Sequence, residues 1–182
     1  MYRHVKDHTA MRYLATRPTM IITTRHGSGV VNAGVFGAYT ILGPSQTGVA
    51  VGQTSHTRKN ILRDGEFVIN VPGADIVKSI RILADNIPES SSEVDEAGLT
   101  LKDPVNGNVP SIAECQAAVE FEFEREMPID HHSFMIGKAV GGWIRESVLD
   151  DDGRINIFRA QVFKDFKYPE PVYVLPGDVI EG

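Results

Sequence analysis

The sequence contains little that would mark it as a disulfide-linked, zinc-binding or membrane-spanning protein. Its 182 residues include one cysteine, Cys115, which excludes an intramolecular disulfide and a multi-cysteine zinc site. No apolar run approaches the roughly 20 residues that cross a bilayer. Residues 1–8 also lack the apolar core of a signal peptide. We therefore expect a cytoplasmic protein that has no membrane partner.

Acidic residues are scarce in the first third of the chain. Residues 1–63 carry eight Lys or Arg and one acid, whereas residues 64–182 carry ten Lys or Arg and 23 acids, for a net charge of −6. The acidic total argues against general nucleic-acid binding. A small OB-type barrel that binds nucleic acid or another partner through the basic third is an alternative. It would need aromatic residues among the cations, which residues 54–60 lack, so we expect no nucleic-acid partner.

Short β-rich segments separated by Gly, Pro and Asp turns dominate the sequence. The clearest of them alternates strictly, so Phe121 is predicted to face a core while Glu120 and Glu122 face water. Seven such strands predict a mainly β single domain over residues 1–182, built as a barrel or a sandwich. The predicted strands are residues 19–24, 30–42, 48–52, 66–71, 119–124, 133–144 and 155–163.

Two helices are predicted among these strands. Residues 57–64 form the first helix, which ends at Gly65 because glycine is the usual residue just past a helix C-terminus. Residues 75–86 form the second, because apolar residues recur at spacings of three and four on one face. The polar residues 89–107 that follow are expected to be an ordered excursion on the surface.

Residues 27–32, Gly-Ser-Gly-Val-Val-Asn, superficially resemble the start of a dinucleotide-binding fingerprint. That motif needs a helix after its glycines, so that the pyrophosphate meets the helix N-terminus. Here the β-branched Val30 and Val31 continue as a strand. The segment is therefore predicted to be a hairpin turn.

Residues 53–60, Gln-Thr-Ser-His-Thr-Arg-Lys-Asn, are the densest set of anion-binding groups in the sequence. They follow a predicted strand and begin a predicted helix, where hydroxyl donors, fixed positive charges and free main-chain N–H groups come together. A phosphate site is one interpretation. A capped helix with solvated charges explains the same residues equally well. The segment by itself leaves both interpretations open.

Two adjacent histidines, His131 and His132, stand at the start of a predicted strand. Neighbouring side chains of a strand point to opposite faces, so the two imidazoles do not bind one metal ion together. We expect no metal site and interpret these residues as structural or substrate-pocket histidines. No Ser-His-Asp or Cys-His arrangement can be identified, and Cys115 lacks an electropositive setting. No side chain is therefore assigned as a nucleophile.

The order of these segments resembles the flavin reductase-like family, which includes flavoredoxin-like proteins and whose domain is an FMN-binding split β-barrel of Greek-key type. The resemblance runs from about residue 17 to residue 166, and the tail at 168–177 matches the family poorly. The motifs occur in the family's order. They are Arg-Pro-Thr-Met-Ile-Ile-Thr-Thr at 17–24, Val-Asn-Ala-Gly-Val-Phe-Gly-Ala-Tyr at 31–39, His-Thr-Arg-Lys-Asn-Ile at 56–61, Gly-Glu-Phe-Val-Ile-Asn-Val at 65–71, Glu-Ala-Gly-Leu-Thr at 96–100 with Pro-Ser-Ile-Ala-Glu-Cys at 110–115, and Asp-His-His-Ser-Phe-Met-Ile-Gly at 130–137.

The resemblance implies that the chain binds FMN, or FAD. The flavin phosphate would lie at residues 54–60 and the ring along residues 32–38, where small side chains let a flat ring approach the main chain. Many family members have a serine where this sequence has Gly37 and Ala38, so a ring contact there falls to the main chain. The residues so implicated in cofactor binding are Asn32, Ala33, Gly34, Val35, Phe36, Gly37, Ala38, Thr54, Ser55, His56, Thr57, Arg58, Lys59 and Asn60.

The resemblance further implies an NAD(P)H-dependent flavin oxidoreductase, in which a hydride passes from nicotinamide to flavin N5 and electrons continue to an acceptor. His132 would then line the substrate pocket or serve as a structural residue. An alternative with the same flavin site is an FMN-binding electron-transfer protein without a nicotinamide site. Family members generally build the flavin site between two subunits, so a homodimer with the flavin near the interface is expected.

Overall fold

The computed structural model describes residues 17–165, 172–178 and 180. The basic residues 1–16 and residues 168–171 of the poorly matching tail lie outside this described part. Twelve strands run through the described residues. They are β1 (Arg17–Pro18), β2 (Met20–Arg25), β3 (Val31–Phe36), β4 (Tyr39–Ile41), β5 (Gln46–Gly52), β6 (Glu66–Val71), β7 (Leu101–Lys102), β8 (Ser111–Ile112), β9 (Ala117–Ile129), β10 (His132–Ile144), β11 (Lys164–Asp165) and β12 (Tyr173–Val174).

Short helices connect these strands. The longest, α1, confirms the predicted helix at 57–64 and ends at Gly65, whose φ of 75° is the left-handed conformation that glycine adopts readily. Within the described residues, no helix has the length and apolar character needed to cross a membrane. The α-helices are α1 (His56–Asp64), α2 (Ile80–Leu83), α3 (Glu93–Glu96) and α4 (Ile157–Ala160), and 3-10 turns cover Ala74–Ser79 and Glu146–Val148.

A seven-stranded sheet forms the framework, in the order β3-β2-β6-β9-β10-β5-β4, and every neighbouring pair is antiparallel. The strands β2 and β3 form a hairpin in which Ile21 lies opposite Val35 and Arg25 opposite Val31. Gly29, at a φ of 90°, lies in the turn between them. The hairpin predicted for residues 27–32 is therefore confirmed.

The sheet curls so that its two ends share one core. Ile22 of β2 and Val51 of β5 belong to the same buried cluster, although β6, β9 and β10 lie between their strands in the sheet. Phe67 and Phe121 stack in this cluster with ring centroids 5.1 Å apart, and Ile61 of α1 packs into it. Packing α1 against the concave side gives a half-barrel, and the barrel alternative predicted from the strand pattern is confirmed.

A second buried cluster covers the other face of β2 and β3. Ile21 and Val31 contribute to it from the sheet, while Ile80 and Leu83 of α2 pack on top of them. The predicted helix at 75–86 therefore exists in altered form. It begins as a 3-10 turn, and only its apolar stripe follows the prediction.

Two strand predictions are wrong. Residues 30–42 were expected to form one strand, but they divide into β3 and β4, which lie at opposite edges of the sheet. Residues 155–163 were expected to be a strand, but they contain α4. The side chain of Asn156 caps that helix by accepting hydrogen bonds from the amides of Phe158 and Arg159, and this local capping outweighs the β-branched residues nearby.

The prediction that Glu120 faces water is also wrong. Its side chain is 4% exposed, because the loop at 105–109 covers that face of the sheet. The carboxylate accepts hydrogen bonds from three successive main-chain N–H groups, those of residues 105–107. Glu122, on the same face, is exposed as predicted. Alternation assigned the two glutamates to one face correctly, but the loop that buries Glu120 leaves no mark in that pattern.

Candidate functional site

The two segments predicted to bind the flavin lie against each other. Nδ2 of Asn32, in β3, donates a hydrogen bond of 3.2 Å to Oγ1 of Thr57, in the first turn of α1. A methyl group on Gly34 would lie 3.4 Å from the same Oγ1 and 2.9 Å from Cε2 of Phe36. A side chain larger than hydrogen at Gly34 would therefore require the Phe36 ring to shift, whereas it would only touch Thr57 in α1.

The first turn of α1 is capped by Ser55. Its Oγ accepts a hydrogen bond from the amide of Arg58 and donates one of 2.8 Å to the carbonyl of Gly52. The helix-cap interpretation is thus confirmed for Ser55. The amides of His56 and Thr57, at the first two helical positions, have no acceptor within the helix and carry the positive end of its dipole. The cap by Ser55 uses the amide of Arg58, so it is compatible with an anion that binds the amides of His56 and Thr57.

The two fixed cations of the segment are already ion-paired. Arg58 binds Glu126 with two hydrogen bonds, of 2.6 and 3.2 Å, which lower the pKa of that carboxyl. Lys59 donates one of 2.6 Å to Glu89, and this contact lowers the pKa of Glu89. Arg58 is held by a partly buried bidentate pair, whereas the Lys59 pair lies at the surface and exchanges partners at little cost.

The side chain of Asn60 is buried in an internal hydrogen-bond network. Its Nδ2 donates to Oγ1 of Thr24 at 3.0 Å, and its Oδ1 accepts from Nη1 of Arg63 at 3.2 Å. Thr24 Oγ1 also accepts from Asn32, so one buried network links the β2–β3 hairpin to α1. Both asparagines, assigned to the cofactor from the family motif, hold the site together in this structure.

His26 is a site residue that the sequence pattern missed. It is 3% exposed, and its ring lies edge-on to that of His56 with centroids 5.1 Å apart. Nδ1 lies 3.4 Å from Nδ2 of Asn60, and the buried Nε2 has no partner among the described residues. Burial lowers the pKa of His26, and the charge of His56 lowers it further. Only the fold brings residues 26 and 56 together.

A second residue missed in the sequence, Glu93, closes the edge of β3. Its Oε2 accepts a hydrogen bond of 2.9 Å from the amide of Ala33, and the side chain is 3% exposed. Burial raises the pKa of Glu93. Beyond this contact, the predicted ring strand becomes progressively more accessible: residues 34–37 are half-buried, and Ala38 is exposed. The accessible length of main chain therefore begins at Gly34.

The histidine motif lies next to the phosphate segment. His132, at the start of β10, is paired with Gly52 at the end of β5. The main-chain N–H of Gln53 donates to the carbonyl of His131 at 3.0 Å, and its side-chain Nε2 donates to the carbonyl of His132 at 3.4 Å. Both histidines are exposed. In the part of the chain that the structure describes, no three His, Cys, Asp or Glu side chains gather as ligands for a metal ion.

A separate cavity of about 340 Å³ lies between the sheet and the loop at 105–109. Glu66, Glu120 and Asn108 are among its lining residues, and the predicted cofactor residues are not among them. Both glutamates accept main-chain hydrogen bonds from the loop. This cavity is therefore lined by the groups that anchor the loop, and it lies apart from the β3–α1 surface.

The sequence and the fold of this chain are both similar to those of known proteins. The chain is 31% identical over 150 residues to an uncharacterized protein from Halalkalibacterium halodurans, covering 75% of this chain and 72% of that protein. Its fold is similar to nitrilotriacetate monooxygenase component B from Bacillus cereus, with a TM-score of 0.89, 22% identity, and coverage of 100% and 98%. It is also similar to flavoredoxin from Methanosarcina acetivorans, with a TM-score of 0.87, 19% identity, and coverage of 100% and 95%. The sequence profile of the flavin reductase like domain matches residues 11–164, so the chain belongs to the flavin reductase-like family, as its motifs indicate, and its half-barrel is that family's split β-barrel.

Proposed function

We propose that this protein is an FMN-binding oxidoreductase that takes electrons from NADH or NADPH. The family assignment supports an oxidoreductase of flavin reductase type. The observation that carries the proposal is the junction of β3 and α1, where Asn32 donates a hydrogen bond to Thr57 and a Cβ on Gly34 would touch the same hydroxyl. It joins an accessible strand edge to a helix N-terminus, which are the surfaces that a flat ring and a phosphate require.

The donors at the helix start fit a phosphate group. Asn32 donates to Oγ1 of Thr57, and the proton of that hydroxyl has no acceptor among the described residues. We assign this proton and the amides of His56 and Thr57 to the phosphate, with Lys59 adding charge after leaving Glu89. Ser55, by contrast, already donates its proton to Gly52, so its part is to cap the helix. Arg58 and Asn60 are secondary candidates for the phosphate.

The ring would lie on the accessible main chain of β3 and the turn after it, residues 34–38. A side chain at Gly34 would meet the Phe36 ring and the Thr57 hydroxyl, and Glu93 binds the amide of Ala33 in the same strand. A bound flavin supplies the electron chemistry at its N5 atom. The chain's own contribution is to hold the ring flat, to bind the phosphate, and to leave one ring face accessible to a nicotinamide. His132 lies beside Gly52 and Gln53, next to the segment proposed to bind the phosphate.

A second candidate function is electron transfer through a bound flavin without a nicotinamide site. The similarity of the fold to that of a flavoredoxin supports this candidate. Both candidates share the same phosphate and ring surfaces. They differ in whether reduced nicotinamide delivers its electrons to the protein.

Anaerobic mixing separates the two. Purified protein is loaded with FMN, freed of excess flavin, and mixed with NADH or NADPH while the visible flavin absorption is followed. We expect the absorption to bleach within seconds with at least one nucleotide, and much faster than free FMN under the same conditions. Bound FMN that stays oxidised with both nucleotides but is bleached by dithionite would establish the electron-transfer alternative. Protein that binds no FMN in equilibrium dialysis would overturn both.

We also propose that the active form is a homodimer in which the partner subunit covers part of the flavin. The proposal rests on the family resemblance and on the accessible position of residues 34–38, which leaves much of a bound ring uncovered within one chain. An isolated subunit would expose the ring to water. A second copy of the chain is the partner that the family resemblance implies.

A further inference from the structure

We propose that Glu126 is a positioning residue for the phosphate site, because through Arg58 it ties the start of α1 to the hairpin of β9 and β10. The Arg58 guanidinium stays on Glu126 when a phosphate binds, and the ligand meets the turn at 52–57 rather than this guanidinium. The inference rests on the proposed function, since the phosphate of FMN is the anion concerned. It goes further by making the distinction between FMN and riboflavin depend on a residue of β9.

Arg58 contacts three separate parts of the chain. Its Nε and Nη2 donate to the carboxylate of Glu126 at 2.6 and 3.2 Å, and its Nη1 donates to the carbonyl of Gln53 at 3.2 Å. Its main-chain N–H donates to Oγ of Ser55, the helix cap, at 3.2 Å. A planar guanidinium in a bidentate pair has a fixed orientation, which the ammonium group of a lysine lacks. Arg58 therefore fixes the carbonyl of Gln53, and with it the turn that leads into α1.

The same turn is also held to the hairpin through Gln53. The main-chain N–H of Gln53 donates to the carbonyl of His131, and its Nε2 donates to that of His132. Gly52, the preceding residue, lies opposite His132 in the pairing of β5 with β10. Glu126 belongs to the other strand of this hairpin, β9. The turn, α1 and the hairpin thus form a closed ring of contacts, in which the pair of Arg58 and Glu126 is the link to α1.

Burial decides which of the two cations of the segment is released to a ligand. The side chains of Arg58 and Glu126 are 27% and 17% exposed. Those of Lys59 and Glu89 are 62% and 42% exposed. Separating the less exposed pair leaves a poorly hydrated carboxylate, which costs more free energy than separating a surface pair. Arg58 lowers the pKa of Glu126, and the hydroxyl of the buried Ser133 lowers it further, so the carboxylate remains ionised and paired.

Two roles of Glu126 predict opposite effects of its removal. If the carboxylate competed with the ligand for Arg58, replacing it would free the guanidinium and tighten the binding of FMN. If it positions the turn through Arg58, replacing it weakens FMN binding, because the amides of residues 56 and 57 are then no longer held in one conformation. Riboflavin lacks the phosphate, so its affinity should change little. A general loss of stability would weaken the binding of both flavins, so the ratio of the two affinities identifies positioning.

Equilibrium dialysis of oxidised FMN and of riboflavin against the full chain measures this ratio. We expect Glu126→Gln, in which an amide replaces the bidentate carboxylate, to weaken FMN binding by about tenfold and riboflavin binding by less than about twofold. Arg58→Lys keeps the charge but loses the planar fork, and it should give the same pattern. Glu124→Gln is the matched control, because Glu124 lies in the same strand and is exposed, and it should change neither affinity.

A double variant tests whether Glu126 acts through Arg58. Glu126→Gln combined with Arg58→Lys should weaken FMN binding no more than either substitution alone, because both remove the same contact. Amide hydrogen exchange gives a readout that needs no flavin. The amides of Gln53 and Arg58, which donate to His131 and Ser55, should exchange faster in Glu126→Gln than in the wild type, and those of β6 should not.

Three results would overturn the inference. They are FMN binding that tightens or stays unchanged in Glu126→Gln, equal losses for FMN and riboflavin, and additive losses in the double variant. If the wild type binds neither flavin, the proposed function fails. The exchange rates of the two amides then still decide whether Glu126 holds the turn.

Discussion

At the scale of single residues, the carboxylate of Glu120 organises a whole loop. It accepts the amides of Val105, Asn106 and Gly107 at 2.5, 2.8 and 3.0 Å. Burial by itself would raise the pKa of Glu120, but the three main-chain donors together outweigh burial, and the pKa is lowered. The ionised form is therefore the one that holds the loop over the sheet.

Replacing this carboxylate tests its part in stability. Because the folded-state pKa is depressed, the contribution of Glu120 is present above the unfolded-state pKa and is lost as the pH falls through the folded-state value. We expect Glu120→Gln to lower the free energy of unfolding by about 1–3 kcal/mol at neutral pH and by less at about pH 4, measured by urea denaturation. Glu122→Gln, on the same face but exposed, should change little. Equal losses in the two variants would contradict this account.

The absence of a side chain at Gly34 is the second single-residue feature with a testable effect. A Cβ there would lie 2.9 Å from the Phe36 ring, which would have to shift, and would touch Thr57 at an ordinary 3.4 Å. We expect Gly34→Ala to weaken FMN binding by about tenfold or more, which corresponds to about 1.4 kcal/mol. Gly43→Ala is the matched control, because its Cβ meets only Gln46 at an ordinary 3.9 Å. Unchanged FMN affinity in Gly34→Ala, measured by dialysis, would remove β3 from the ring site.

At the scale of elements, α1 combines a structural cap with the proposed ligand site, and two substitutions separate these roles. Ser55→Ala removes the cap and should lower the free energy of unfolding by about 1 kcal/mol, with less than about a threefold effect on FMN affinity. Thr57→Val removes the free hydroxyl proton and should weaken FMN binding by about tenfold. Ser90→Ala, in an exposed loop, is the control for both. If Ser55→Ala weakened FMN binding more than Thr57→Val did, Ser55 rather than Thr57 would be the residue that binds the phosphate.

The edge strands explain why one long predicted strand became two. β3 ends the sheet beside β2, and β4 ends it beside β5, so residues 37 and 38 cross between the two edges of the curled sheet. Gly37 and Ala38 allow this crossing because they have little or no side chain. The proposed ring surface thus lies at the opening between the edges. The sequence pattern predicts one continuous strand for residues 30–42, because the residues on both sides of this crossing are extended.

At the scale of the whole molecule, the proposed homodimer has a direct test. Light scattering after gel filtration should give about twice the chain mass of 20.0 kDa at micromolar concentration. An exposed edge strand such as β4, where Ile41 is 76% exposed, is a surface that a second copy would cover. A mass equal to one chain, with FMN bound, would show that a single subunit is sufficient for the cofactor.

Local sequence patterns were sufficient to predict much of the local structure. The hairpin at 27–32, strand β6 and helix α1 all depend on nearby residues, namely β-branched runs, turn glycines and a serine cap. The family was also readable, because its motifs keep their order along the chain. The two segments predicted to bind the phosphate and the ring are adjacent in the structure. Their assignment to a cofactor stays a prediction.

Tertiary structure alone decided which groups meet. The burial of Glu120 depends on a loop 13 to 15 residues away, and the pairing of His26 with His56 and of Glu93 with Ala33 spans the fold. The same is true of the ion pairs that already hold Arg58 and Lys59. Periodicity records which way a side chain points from its own backbone. It carries no information on what a distant segment places there, and that placement sets burial, charge and free donors at the site.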